Sequence, residues 1–115
     1  MNFKQAIREA GTTAYEKGWW EQPPSFGEFI ALCHSELSEA LEEYRNGKKV
    51  DETYFNRNTD GSINYKPEGI PTELADCIIR IFDYCHNMGI DIETAVEEKM
   101  EYNRNRSYKH GGKVL

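Results

Sequence analysis

Cysteine is scarce in this chain, and nothing in its placement suggests a bridge or a zinc site. Only Cys33, Cys77 and Cys85 occur. An odd number of thiols, each inside an apolar helical pattern and none in a CxxC pair, predicts buried, reduced side chains and a cytoplasmic setting. Cys33-His34 and Cys85-His86 are adjacent residues. Helical neighbours point about 100° apart, so neither pair makes a two-ligand claw for zinc. No run of 18 apolar residues is present, which excludes a transmembrane helix. The opening MNFKQAIREAG lacks the apolar core of a signal peptide. Basic residues are also in deficit: 14 Lys and Arg against 20 Asp and Glu leave a net charge of −6. That balance argues against nucleic-acid polymers as partners, since they require a basic face. It leaves room for a small anionic substrate, because a bound divalent cation inverts the local sign. There is no repeat, no low-complexity tract, and no Ser or Cys arrangement suited to nucleophilic catalysis.

What remains is an ordinary globular composition, 38% hydrophobic and 30% charged, in 115 residues, enough for one domain. Four helices are predicted. The first spans about residues 3–17, with Phe3, Ile7, Ala10 and Ala14 on one face and Gly18 as its stop. Trp19 to Pro24 forms a connector that its prolines keep out of a helix. The second spans about 26–46. Ser25 and Glu28 make a capping box at its start, and Asn46-Gly47 ends it. The third spans about 71–87, with Pro71 in its first turn, and the fourth about 92–104, with Asp91 as N-cap. Residues 48–69 form a long polar excursion. Asn58-Thr59-Asp60-Gly61 suggests a turn within it and a short β-hairpin around that turn. A bare loop of that length is unusual, so the excursion is expected to pack on something. Residues 107–115 read as a polar tail. The expected class is all-α, a four-helix bundle as one domain over residues 1–115.

The charges on these helices are more informative than their number. On the second helix an apolar stripe centred near Cys33 and Leu37 puts Glu36 roughly 80° to one side, Glu43 about 100° and Glu39 about 140°. Glu36 is therefore expected on the shoulder of the core. The third helix is apolar over more than half its circumference, and a narrow strip carries Glu73, Asp76, Arg80, Asp83 and Asn87. Glu73 and Asp76, three residues apart, repel each other. Arg80, one turn on, is placed to neutralise one of them. An ExxE pair alone is usually a solvated face. Glu36-x-x-Glu39 and Glu73-x-x-Asp76 together offer four carboxylates on two helices expected to pack. A hard divalent cation, Mg²⁺ or Mn²⁺, is one physical solution to that crowding. No Glu-x-x-His pair is present, which disfavours a di-iron centre. On the fourth helix Ile92, Val96, Lys99, Asn103 and Arg106 share about 60° of arc. Lys99 either snorkels to solvent or, with Asn103 and Arg106, faces the acidic cluster and meets a polyphosphate. Of Trp19 and Trp20, one is expected in the core and the other as an aromatic platform for a base.

The run from His34 to Glu43, then Glu73-Leu74-Ala75-Asp76, then Lys99-Met100-Glu101-Tyr102-Asn103 resembles the MazG-like branch of the all-α nucleotide pyrophosphohydrolases. The resemblance covers roughly residues 19–113. It implies Mg²⁺-dependent hydrolysis of a nucleoside triphosphate, ribose or deoxyribose, to the monophosphate and pyrophosphate, by water attack on the α-phosphate. It also implies metal ligation by Glu36, Glu39, Glu73 and Asp76, with Glu36 or Glu39 accepting the proton. Lys99, Asn103 and Arg106 would then contact the substrate and Trp20 would stack on the base. A homo-oligomer is implied, dimer or dimer of dimers. Two features depart from the family pattern. The 33 residues from 40 to 72 are a long separation, and the excursion they contain covers the substrate, braces a dimer, or does neither. The usual Arg-Tyr-Pro ending is missing, and Arg106, Lys109 and Lys113 are either phosphate ligands or a basic tail. The competing reading is a non-catalytic helical dimer, acting as an interaction or nucleotide-binding regulatory module.

Overall fold

A computed structural model describes residues 1–106. Among the described residues the regular structure is entirely helical: α1 Phe3–Glu16, α2 Phe26–Arg45, α3 Ile70–Met88 and α4 Ile92–Arg104. Local chemistry sets most of these ends. Ser25 and Glu28 form the expected capping box on α2. A second box, from Asn2 and Gln5, opens α1. The Asp91 carboxylate accepts the Thr94 N–H at 3.0 Å and starts α4. Gly89, at φ +71°, closes α3 in a left-handed cap.

Helix α3 is the centre, with α1 packed on one side and α2 on another. Between α2 and α3 the Phe29 and Tyr84 rings stack at 3.9 Å and 7°, over Cys33 and Cys77. Trp20 and Ile81 complete this cluster. All three thiols are free and buried, and burial raises the pKa of Cys33 and Cys85. Between α1 and α3 the contact is closer. Gly11 lies against the His86 imidazole, and a Cβ there would collide with the ring. The Asn87 amide donates to the Gly11 carbonyl at 3.0 Å and to the Asp83 carboxylate at 2.9 Å, and the latter also accepts the Trp20 indole N–H at 2.7 Å.

The phase of α2 differs from the sequence expectation. Its buried residues are Phe29, Cys33, Glu36 and Ala40, while Leu37 and Leu41 are exposed. At 100° per residue the buried stripe is turned by about 50°, so that Glu36 lies within it and not on its shoulder. Helix α3 is also less covered than its composition suggests, with Leu74, Ile78 and Ile79 exposed.

Helix α4 departs further. It contributes no buried residue. The Lys4–Glu93 ion pair, at 3.6 Å between an exposed lysine and a half-buried glutamate, links it to α1. The packed unit is thus three helices, with the fourth projecting. A radius of gyration of 17.6 Å, against about 13 Å for a compact chain of this length, agrees. The excursion forms a hairpin without extended strands. Two antiparallel bridges, Tyr54 with Glu68 and Arg57 with Ile63, flank the expected turn at 58–61. It packs back on the end of α2, where the Tyr54 hydroxyl donates to Glu43. No helix is long and apolar enough to cross a membrane among the described residues.

The close approach of α1 to α3 is directly testable. Gly11→Ala forces a methyl group onto His86 and is expected to cost about 1–3 kcal/mol in urea unfolding. Gly27→Ala, where an added Cβ meets nothing within 4 Å, is the control. It should stabilise by under about 1 kcal/mol, through helix propensity alone.

Candidate metal centre

Four carboxylates meet where α2 crosses the first turns of α3. Glu36 comes from the buried face of α2, and Glu73 and Asp76 from consecutive turns of α3. Each offers an oxygen within 4.8 Å of the other two. Glu36 is 7% exposed and Glu73 9%, and Asp76 lies nearer the rim. Glu39, one turn beyond Glu36, is exposed, and its carboxyl acts on that of Glu73. The two acidic pairs expected from sequence are therefore brought together.

Their electrostatics are unbalanced. Arg80 donates through Nε to Glu36 Oε1 at 2.9 Å. The arginine thus pairs across to α2 and not with its own-helix neighbours Glu73 or Asp76, because Glu36 is turned further inward than expected. Glu73 is left without a cation, and its Oε2 is buried with no hydrogen-bond partner among the described residues. A buried acceptor left unsatisfied costs about 1–3 kcal/mol, more when charged. Burial, then the hydrogen bond and charge of Glu39, then the charges of Asp76 and Glu36, push the Glu73 pKa up to about 7. Asp76 is raised as well, by burial and by Glu36, with Arg80 opposing. An oxygen-only donor set with an unsatisfied inward oxygen fits a hard divalent cation, which would do what the proton does at lower pH.

A groove of about 690 Å³ between α1 and α3 adjoins these carboxylates. Its walls include Ala10, Ala14, Ile79 and Phe82, and Glu36, Asp76 and Arg80 line it too. Trp19 also borders it and is 68% exposed. Trp20, by contrast, packs against Tyr84 at 6.0 Å and donates to Asp83. Of the two indoles, the one open to a ligand is that of Trp19.

The predicted cationic residues are not assembled with the acidic ones within one chain. Lys99, Asn103 and Arg106 lie on the projecting α4 and just past its end, all exposed. Lys99 and Arg106 pack over the Tyr102 ring, at 4.9 and 5.6 Å. No ion pair joins any of the three to the four carboxylates among the described residues. Lys109 and Lys113 lie outside the described residues. Two acidic residues escaped the sequence reading. Glu43 and Glu68 also reach Glu73, within the same 4.8 Å limit. The only local signal for them was the position of Glu43 on the same flank of α2 as Glu36. Comparison with family models, with curated proteins and with solved structures finds no match.

The raised carboxylates make stability depend on pH in a defined direction. A carboxyl whose folded pKa lies above its ordinary 4.5 retains a proton in the native state that the unfolded chain has lost. Stability therefore falls as pH rises from about 4.5 to about 7. In EDTA the melting temperature should drop by several degrees between pH 5 and pH 8, corresponding to about 1–3 kcal/mol. Millimolar Mg²⁺ should flatten the drop by replacing the proton. A metal-free melting temperature that is level or rises over this range would show that Glu73 is not under this strain.

Proposed function

We propose that the protein is a Mg²⁺-dependent nucleoside triphosphate pyrophosphohydrolase of the MazG-like type, which releases the monophosphate and pyrophosphate. The observation that carries this reading is the convergence of Glu36, Glu39, Glu73 and Asp76 from two packed helices, with a buried Glu73 oxygen left unsatisfied. The ordered ExxE, ExxD and KxxxN pattern supports the same reading.

Glu36, Glu73 and Asp76, with Glu39 at the rim, would hold Mg²⁺, for which Mn²⁺ can substitute. Such an ion, when bound, neutralises triphosphate oxygens and acidifies water. The chain's own residues carry the remaining work. Arg80 fixes Glu36 in place through its 2.9 Å bond. Glu39 is the carboxylate best able to accept a proton, being exposed and free of a cationic partner among the described residues. The groove beside the carboxylates has apolar walls for a base, and Trp19 offers the stacking surface at its edge. Lys99, Asn103 and Arg106 would stabilise the departing pyrophosphate. Since α4 projects from its own chain, they would act on the site of a neighbouring subunit, dimer or dimer of dimers.

A non-catalytic interaction module is the second reading. The exposed Leu37, Leu41, Leu74 and Ile78 favour association, but they do not account for the unsatisfied carboxylate.

Two measurements test these statements. With Mg²⁺ and a panel of ribo- and deoxyribonucleoside triphosphates, the wild type should release pyrophosphate from at least one. Glu39→Gln should lower kcat about 10²–10⁴-fold, the usual range for removal of a general base. Turnover no greater than that of the variant on every substrate would reject the enzymatic reading. Sedimentation at micromolar concentration should give twice or four times the 13.3 kDa chain mass, and a monomer would remove the shared-site assignment of α4.

A further inference from the structure

The carboxylates Glu43, Glu68 and Glu73 form a second trio that shares Glu73 with Glu36 and Asp76, and they are unlike an ordinary acidic surface. Each offers an oxygen within 4.8 Å of the other two. Glu43 lies on α2 two turns beyond Glu36. Glu68 comes from the return limb of the hairpin, where it exchanges backbone hydrogen bonds with Tyr54 at 2.9 and 3.0 Å. Gly69 follows at φ +120°, a conformation open to glycine, with the Glu52 carbonyl pressed against it. This tight return sets Glu68 two residues before the helix that carries Glu73. Tyr54 then orients Glu43, since its hydroxyl lies 2.9 Å from both carboxylate oxygens. A carboxylate has about four lone-pair positions, so Glu43 keeps acceptors for a further partner.

The independent sign of a ligand is Glu73 itself. It is about nine-tenths buried, belongs to both trios, and has an oxygen with no partner among the described residues. The local charge balance points the same way. Glu36, Glu39, Glu43, Glu68, Glu73 and Asp76 face two nearby cationic groups. One is Arg80, bound to Glu36, and the other is Lys66, whose largely exposed amine lies 3.5 Å from Glu68. Lys48 is turned onto the Tyr54 ring at 4.0 Å. Four negative charges are left over with all six groups ionised. One divalent ion cancels half of that excess, and two cancel it.

We propose that Glu43, Glu68 and Glu73 form a second site for a hard divalent cation, Mg²⁺ or Mn²⁺, and that Glu73 is shared between it and the Glu36–Glu73–Asp76 site. The hairpin is then a ligand-bearing element, since without it Glu68 would not reach α2. Lys66 gives up Glu68 when the ion enters. This site goes beyond the pyrophosphohydrolase reading and needs no nucleotide.

The test counts ions on the full chain. EDTA-treated protein is titrated with Mn²⁺, and the free ion is measured by electron paramagnetic resonance. The wild type should bind two Mn²⁺ per chain, and Glu68→Gln and Asp76→Asn one each. The loaded wild type should show the spectrum of a spin-coupled pair, which both variants lose. Gly27→Ala, which touches neither trio, should still bind two. Circular dichroism checks the fold of each variant, and Glu43→Gln replaces Glu68→Gln if the latter does not fold. A single ion in the wild type that Asp76→Asn abolishes would overturn the second site and leave the first. Two ions retained in Glu68→Gln would also overturn it. No bound ion at all would overturn both.

Discussion

The crossing of α2 and α3 is governed by a conflict between burial and charge. The same interface that stacks Phe29 on Tyr84 and closes over Cys33 and Cys77 also encloses Glu36 and Glu73. Apolar contact holds the helices close, and that closeness presses the carboxylates together. Arg80 relieves one of them and nothing in the described chain relieves the other. Removing a charge from water costs several kcal/mol unless it is paired. The pair of helices is therefore stable as a scaffold and unstable as an electrostatic arrangement. A proton or a cation resolves the difference, and the upward shift of the Glu73 pKa has the same cause.

The rest of the structure is arranged around that conflict. Helix α1 covers the far side of α3 through Gly11 and Asn87, leaving a groove that runs to the carboxylates. The hairpin packs on the end of α2 through Tyr54 and brings Glu68 to Glu73. The apolar groove adjoins the acidic centre, and Glu68 of the hairpin reaches the same centre through Glu73.

Much of the fold was legible because it rests on local rules. Ser25 and Glu28, Asp91 and Gly89 mark helix ends through hydrogen bonds made within a few residues. The acidic pairs were legible for a similar reason: three-residue spacing fixes which side chains share a helix face. The phase of α2 was not. Its sequence carries apolar residues on two adjoining stripes, and only contact with α3 decides that Cys33 and Ala40 go inward while Leu37 and Leu41 stay out. Arg80 followed that error, because its partner depends on where Glu36 points. The projection of α4 was illegible for another reason. Lys99 and Asn103 interrupt its apolar face, and among the described residues nothing buries the remainder. Glu68 was missed because its approach to Glu43 depends on a hairpin closing across 25 residues, and no periodicity reports that.

The hairpin also bears on the choice between a catalyst and a module that only binds partners. An interaction surface gains from neutral, well-packed residues, and a buried carboxylate pair weakens it. Here the excursion, the element with most freedom to be neutral, adds Glu68 to a centre already in excess of negative charge and holds Glu43 of α2 beside it. It does so through specific devices: a tyrosine hydroxyl aimed at Glu43, a cross-strand pair at Glu68 and a glycine turn into α3. Each orients an acceptor while leaving it short of donors. Such an arrangement is costly for a surface and useful for holding hard cations, and this makes the acidic centre, not the exposed leucines, the feature around which the function is best sought.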